Sequence, residues 1–318
     1  MGREWPRNVV ASGARAKETD LLTATSIAAA ERGRNLDDLL TELYCLLDDR
    51  LPPQHMGRPQ LVSDPELLCI AVAQMLTGVA GERAWLRRAP ARLGHLFPRL
   101  PSREQYNRRL RALGPALAVA IGHLAELHPD RLSAFLLTDT TPLPCGQSIE
   151  TKRRSAIAGS AATGHSSSHS RWYWGHKLIL LTGPEGMPLA YDLVPANTSD
   201  QEGAQRPLVG ARLGGRTLLG DRGFRGTEED VAAAGGVLLR PSFRSERRPS
   251  RPLISRTRQW IESVFWTLKG QLSLERHGAR TLDGLATRVG SRLLALAAAL
   301  WFNQLVGRPG RHLTAYDH

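Results

Sequence analysis

Two short apolar runs in this chain each end on an aspartate: AFLLTD closes on Asp139 and RTLLGD closes on Asp221. Both runs have the length and apolar content of a buried strand. In open α/β sheets, ligands bind at the carboxyl ends of strands. Like charges a few ångströms apart resist joint ionisation, so two carboxylates at equivalent strand ends call for a cation or a shared proton. A divalent metal ion meets that need. Taken alone, the Asp221 of GDRGF reads as readily as a turn aspartate, with Gly223 letting the chain turn away. Glu262 supplies a third acid. It lies in SRTRQWIESVFWTLKGQL, a helix-length segment whose Ile261, Phe265, Leu268 and Leu272 mark a buried face. At 100° per residue Arg258, Glu262 and Lys269 form one polar stripe beside that face. The same spacing also serves an ordinary Arg258–Glu262 surface pair.

The elements that must position these acids follow from the pattern around them. HKLILLTGPEGMPLAYDLV reads as two strands joined at Gly183-Pro184-Glu185-Gly186, TEEDVAAAGG as a short helix stopped by glycine, and VLLRP as a further strand. Strands followed by strand-helix-strand-helix predict a mixed sheet with helices on its faces. Residues 156–171 and 242–252 read as loops, the second dense in arginine: Arg244, Arg247, Arg248 and Arg251 are its phosphate-contact candidates. HSSSHS, from His165 to Ser170, reads as a polar loop rather than a metal site, and Asp200 as a helix N-cap. His176 and Lys177 read as exposed strand positions or as neighbours of bound phosphates, and Arg222 as a phosphate contact or the partner of a nearby acid.

Before residue 130 the periodicity is helical. Leu36, Leu39, Leu40, Leu43, Leu46 and Leu47 recur at helical spacing, and SDPELLCIAVAQML opens with Ser63 as N-cap and Glu66 at the capping-box position. Arg103, Arg108, Arg109 and Arg111 crowd one segment, as a solvated helix face or as a face laid on phosphates. Residues 63–92 could hold a helix-turn-helix or a plain helix pair. The expected organisation is a disordered basic arm (1–20), a helical domain for DNA binding or multimerisation (21–130), an α/β catalytic domain (131–306) and a tail (307–318).

Composition narrows the partners. Lys and Arg number 42 against 30 Asp and Glu, a net charge of +12 over 318 residues, which points to polyanions. Three scattered cysteines supply neither a disulfide framework nor a zinc knuckle. The run Leu293 to Phe302 is too short to span a bilayer and no signal segment opens the chain, so a soluble, intracellular protein without a membrane partner is expected.

The segments LLTDTTPLPC, KLILLTGPEGMPLAYDLVPANTSD, LLGDRGF and RQWIESVFWTLKGQL, in that order, resemble the catalytic domain of bacterial insertion-sequence DDE transposases, in particular the insertion-sequence family numbered nine hundred and eighty-two. That family's Asp-x-x-Pro strand, PAN…D segment, GD-(K/R)-G-(Y/F) turn and R-x-x-IE-x-x-F helix all have counterparts here, and YNRRLR resembles its upstream segment. Coverage is roughly residues 35 to 305.

The resemblance implies an RNase H-like mixed sheet flanked by helices, behind an all-helical N-terminal region. It implies Asp139, Asp221 and Glu262 as catalytic and metal-binding residues, and Arg258 and Lys269 as DNA contacts. Ser255 stands where related families carry a tyrosine. The short stretch between Asp221 and Glu262 lacks the large insertion domain of some relatives. The implied cofactor is a pair of Mg²⁺ ions, with Mn²⁺ as substitute, since hard oxygen ligands suit such ions. The implied partners are double-stranded DNA with terminal inverted repeats, target DNA, and further copies of the chain in a homodimer or larger multimer. The implied location is the bacterial cytoplasm, at the nucleoid. A stand-alone nuclease and a non-catalytic DNA-binding regulator are the other readings of the same fold.

Overall fold

The computed structural model describes residues 36–51, 60–166, 170–211, 213–243 and 253–316. The arm expected over residues 1–20, the arginines Arg244, Arg247, Arg248 and Arg251, and the side chain of Arg258 lie outside the described residues.

Five helices come first: α1 (Leu36–Arg50), α2 (Asp64–Leu76), α3 (Glu82–Leu93), α4 (Arg103–Ala112) and α5 (Gly114–Leu127). The capping box at the start of α2 forms as its sequence dictates. The Ser63 hydroxyl accepts from the Glu66 N–H at 3.2 Å, and the Glu66 carboxylate accepts from the Ser63 N–H at 2.5 Å. From Leu67 to Leu76 α2 is buried on every side, so it is a core helix with no face for a DNA groove. The α/β part follows with β1 (Phe135–Gly146), α6 (Ile149–Arg154), β2 (Ala162–Ser166), β3 (Arg171–Thr182), β4 (Pro188–Pro195), α7 (Asp200–Ala211), β5 (Thr217–Leu219), α8 (Glu228–Ala233), β6 (Val237–Leu239), α9 (Leu253–Gly270) and α10 (Leu282–Leu305).

The strands form one sheet in the order β2-β3-β1-β5-β6, with β4 sharing the outer edge of β3 with β2. β3 runs antiparallel to β1, whereas β5 and β6 run parallel to it. This is an RNase H-like α/β fold. On one face Leu136, Leu181 and Leu218 pack with Ala204 and Leu208 of α7 and Val231 of α8. On the other, Leu137, Leu143, Leu178, Leu180 and Leu219 join Ile261, Val264, Phe265 and Leu268 of α9 in an apolar core that continues through α10 into the N-terminal helices. The change of texture at residue 130 is therefore not a break in the core.

Four local expectations are corrected. β1 does not stop at Asp139 but runs on to Gly146, paired with β3 throughout. Its prolines are tolerated for a geometric reason. The Thr217 N–H donates to the Ala134 carbonyl, so even-numbered residues of β1 point their backbone polar groups toward β5, and the β5 pairing ends at Leu137. Pro142 and Pro144 thus lack N–H groups where no strand would receive them. Within the expected loop 156–171, Ala162–Ser166 forms the edge strand β2. The expected tail packs back, with Leu313 and Tyr316 buried and the Tyr316 hydroxyl donating to Asn303 Oδ1 at 2.5 Å. Finally, the apolar run 293–302 belongs to a helix of 24 residues. Taken singly, α10 is the one helix among the described residues long and apolar enough to cross a bilayer, but 83% of its apolar window is buried, where it forms the spine between α5 and α2.

Candidate active site

The parallel pairing of β1 with β5 sets the height of the first two acids. Phe135 pairs with Thr217, Leu136 with Leu218 and Leu137 with Leu219. Asp139 lies two residues past the last of these pairs, still within β1, and Asp221 two residues past it, just beyond the end of β5. The contact continues past the ladder: a Cβ placed on Gly220 would lie 3.3 Å from Thr138 Cγ2 and 3.2 Å from the Phe224 ring. Glycine therefore belongs between β5 and Asp221 because the chain there runs against β1. The Asp139 Oδ1 accepts from the Thr140 N–H at 2.7 Å, and the Asp221 Oδ1 accepts from the Gly223 N–H at 2.7 Å, capping a short turn over Arg222–Phe224. Asp221 is thus the turn aspartate that GDRGF suggests.

Gly223 has a second reason to be glycine. Its backbone needs no left-handed conformation among the described residues; what it needs is space. A Cβ on it would sit 2.3 Å from Asp200 Oδ2 and 3.0 Å from Asp221 Oδ1, so the two carboxylates flank this residue. Asp200 is not the N-cap of α7. The Ser199 hydroxyl takes that role, accepting from the Glu202 N–H at 3.1 Å, and Asp200 binds Lys177 Nζ at 2.5 Å. Lys177 is 9% exposed and its ammonium is committed to Asp200. His176 is buried too, and burial pushes its imidazole below its ordinary value, which keeps it neutral. These two strand positions are covered because β3 lies inside the sheet, with helices on both faces.

The third acid comes from α9. The apolar side of that helix rests on the sheet face bearing Leu137, Leu143 and Leu219, and Asp139 has the same parity along β1 as Leu137 and Leu143. Glu262 follows the buried Ile261 and is exposed. Farther along the stripe, Lys269 is paired with Glu275 at 3.1 Å. Among the described residues, no three His, Cys, Asp or Glu side chains stand close enough to hold a metal ion. Neighbouring strands thus lead to Asp139 and Asp221, and α9 packs on the sheet face that Asp139 shares with Leu137 and Leu143, but no group of three carboxylates forms among the described residues. Their donor set is all carboxylate oxygen, which fits a hard divalent cation by chemistry.

One feature beside Asp221 carries no sequence signal beyond nearby arginines. The guanidinium carbons of Arg222, Arg225 and Arg240 lie 5.9, 5.3 and 5.9 Å from the centroid of the Phe243 ring, within cation–π range. Arg240 also pairs with Glu228 at 2.9 Å. Burial works to raise the Glu228 carboxyl, yet backbone hydrogen bonds and Arg240 prevail and hold it below its ordinary value.

A family model described as "Transposase DDE domain" matches residues 132–298, just over half of the chain. No curated protein and no solved structure gives a significant match.

Proposed function

The chain belongs to the transposase DDE-domain family, and on that premise we propose that it cleaves DNA at the ends of an insertion sequence and joins the freed ends to target DNA. The observation that carries this reading is that β1, which bears Asp139, pairs in parallel with β5, which leads into Asp221, while α9, which bears Glu262, packs on the same sheet. Family membership supports DNA as substrate and divalent metal as cofactor; the four motifs in order support the finer assignment to the insertion-sequence family numbered nine hundred and eighty-two. Asp139, Asp221 and Glu262 would hold Mg²⁺ or Mn²⁺, which when bound supply a polarised phosphodiester and an activated water or 3′-hydroxyl for in-line displacement.

The chain's own residues provide the frame. Rigid pairing on β1 holds Asp139, and the turn at Arg222–Phe224 orients Asp221 through its own backbone N–H. Lys177 neutralises Asp200, so that this fourth acid adds little repulsion next to Asp221. Arg222 and Arg225, on the exposed side of the same turn, are placed to meet phosphate. Pairing two element ends requires at least two active sites or one site used repeatedly, and a homodimer or larger multimer is the working form proposed.

Asp221→Asn tests the assignment. Lewis-acid stabilisation of several kcal/mol corresponds to a loss of about a thousandfold or more in strand cleavage with Mg²⁺, while affinity for the uncut duplex persists. Cleavage at the wild-type rate in that variant would remove Asp221 from the chemistry. Pre-cut ends offered with a supercoiled target separate strand transfer from simple hydrolysis.

A further inference from the structure

The carboxylate site leaves unused a cleft of about 690 Å³ between α4 and the start of α10. Arg103, Arg108 and Arg111 line it from α4, Arg280 from the segment entering α10, and Arg288 from α10 itself. Its acids, Glu82 and Glu104, are already engaged. Glu82 accepts from Asn107 at 3.1 and 3.0 Å and from Arg288 at 2.9 Å, forming the floor. Glu104 is held below its ordinary carboxyl range by its own backbone N–H and the Ser102 hydroxyl. By contrast, Arg108 and Arg280 have neither a hydrogen bond nor an ion pair among the described residues. Five guanidinium groups thus face one space with two acids between them.

The cleft is built, not incidental. Gly278, at φ 58°, turns the chain at its rim, and Gly284 keeps the mouth clear of a side chain. Arg288 donates to the His277 carbonyl at 2.8 Å, and His277 Nε2 donates to the Pro144 carbonyl at 3.1 Å, which ties the rim to β1. Pro144 lies five residues beyond Asp139, about 17 Å along an extended strand, so the rim is tied to the strand that carries the first acid. Planar guanidinium groups match phosphate oxygens, and the first turn of the 24-residue α10 adds its N-terminal dipole at Thr281 and Gly284.

We propose that this cleft grips the phosphate backbone of the same duplex whose scissile phosphate lies at Asp139 and Asp221. It rests on the reading above that the chain acts on DNA. The segment read from sequence as either a solvated face or a face on phosphates is then divided. Arg109 is structural, bound to Asp64 at 2.7 Å and to the Val62 carbonyl at 2.6 Å, and its neighbours serve DNA.

The test uses the full chain, the Arg108→Gln/Arg280→Gln double variant and its Arg→Lys counterpart, with duplexes of about one and about three helical turns. Equal unfolding midpoints establish that the variants fold, and the Lys form keeps both charges if the Gln form does not. Wild type binds the long duplex more tightly. The Gln variant loses at least about tenfold of that gain, and its slope of log K against log salt falls by about 1.8, at roughly 0.9 per phosphate contact. The Lys variant stays near wild type. An unchanged slope and affinity in the Gln variant overturns the proposal. So does loss of polyglutamate binding with DNA binding intact, which would assign the cleft to an acidic protein segment. Absence of cleavage by wild type with Mg²⁺ would count against the transposase reading alone, since the binding comparison decides the cleft either way.

Discussion

The stretch of β1 around Asp139 and the end of β1 beyond Pro144 handle charge in opposite ways. Around Asp139 and Asp221 each carboxylate is held by a nearby backbone N–H, and no group of three metal-ligating side chains forms among the described residues. At the other end, beyond Pro144, the arginine cleft is fully assembled on a locked floor of Glu82, Arg288 and Asn107. The difference follows from electrostatics. Like charges drawn close repel one another, and each of these carboxylates is held by its own nearby backbone N–H. Arginines that contact successive phosphates stay ångströms apart, and a single neutralised acid beneath them is enough to fix their frame.

The sharpest way to break this contrast is at His277, the hinge between the two ends. Its Nε2 donates to the Pro144 carbonyl and its Nδ1 accepts from the Ala279 N–H, so the neutral ring is fully satisfied. Burial, followed by the charges of Arg292 and Arg288, lowers it from 6.5 to about 4 despite the Pro144 bond. Above pH 6.5 the ring is neutral folded or unfolded. Between 6.5 and 4 the unfolded chain takes up a proton that the folded ring refuses, so stability falls as pH falls, by about 3 kcal/mol in all. Denaturant titrations from pH 7 to pH 4 should show that loss in wild type and lack it in His277→Gln.

Gly223→Ala probes the acid end alone. The added methyl meets Asp200 and Asp221, and a displacement of about 1 Å can reduce turnover by about a hundredfold. Cleavage should fall by that order, with duplex affinity retained through the cleft. Equal fractional losses of cleavage and binding would show that the two ends are not separable. At the cleft end, Glu82→Ala leaves Arg288 and Asn107 without their shared acceptor. Stability should drop by about 1 to 3 kcal/mol in thermal or denaturant unfolding, while duplex affinity holds or rises because a negative charge has left the floor. A fall in affinity at matched folding would mean that the floor, and not the net charge, governs binding.

Much of the frame was legible in local pattern. The buried strands before Asp139 and Asp221, the turn at GDRGF, the capping box of α2 and the amphipathic α9 all depend on residues a few positions apart, so periodicity and turn chemistry carry them. Extended runs without such periodicity were harder. β1 passes through Asp139 because β3, distant in sequence, pairs with it, and Ala162–Ser166 is a strand because it folds back antiparallel on the open edge of the adjoining β3, a pairing that its own polar, glycine-containing sequence does not announce.

Sequence by itself determined that buried strand-forming runs lead to Asp139 and Asp221 and that Glu262 lies on a helix with a core-facing side, because hydrophobic burial with a fixed period leaves each polar residue a defined position. Only the tertiary structure decided which charges are committed. It assigned Lys177 to Asp200, Arg109 to Asp64 and Lys269 to Glu275, and left Arg108 and Arg280 facing a cleft. It also showed that Gly223 is glycine for want of space beside Asp200. Composition reports how many charges a chain carries, but their partners are set by contacts between residues distant in sequence, and those exist only once the core has closed.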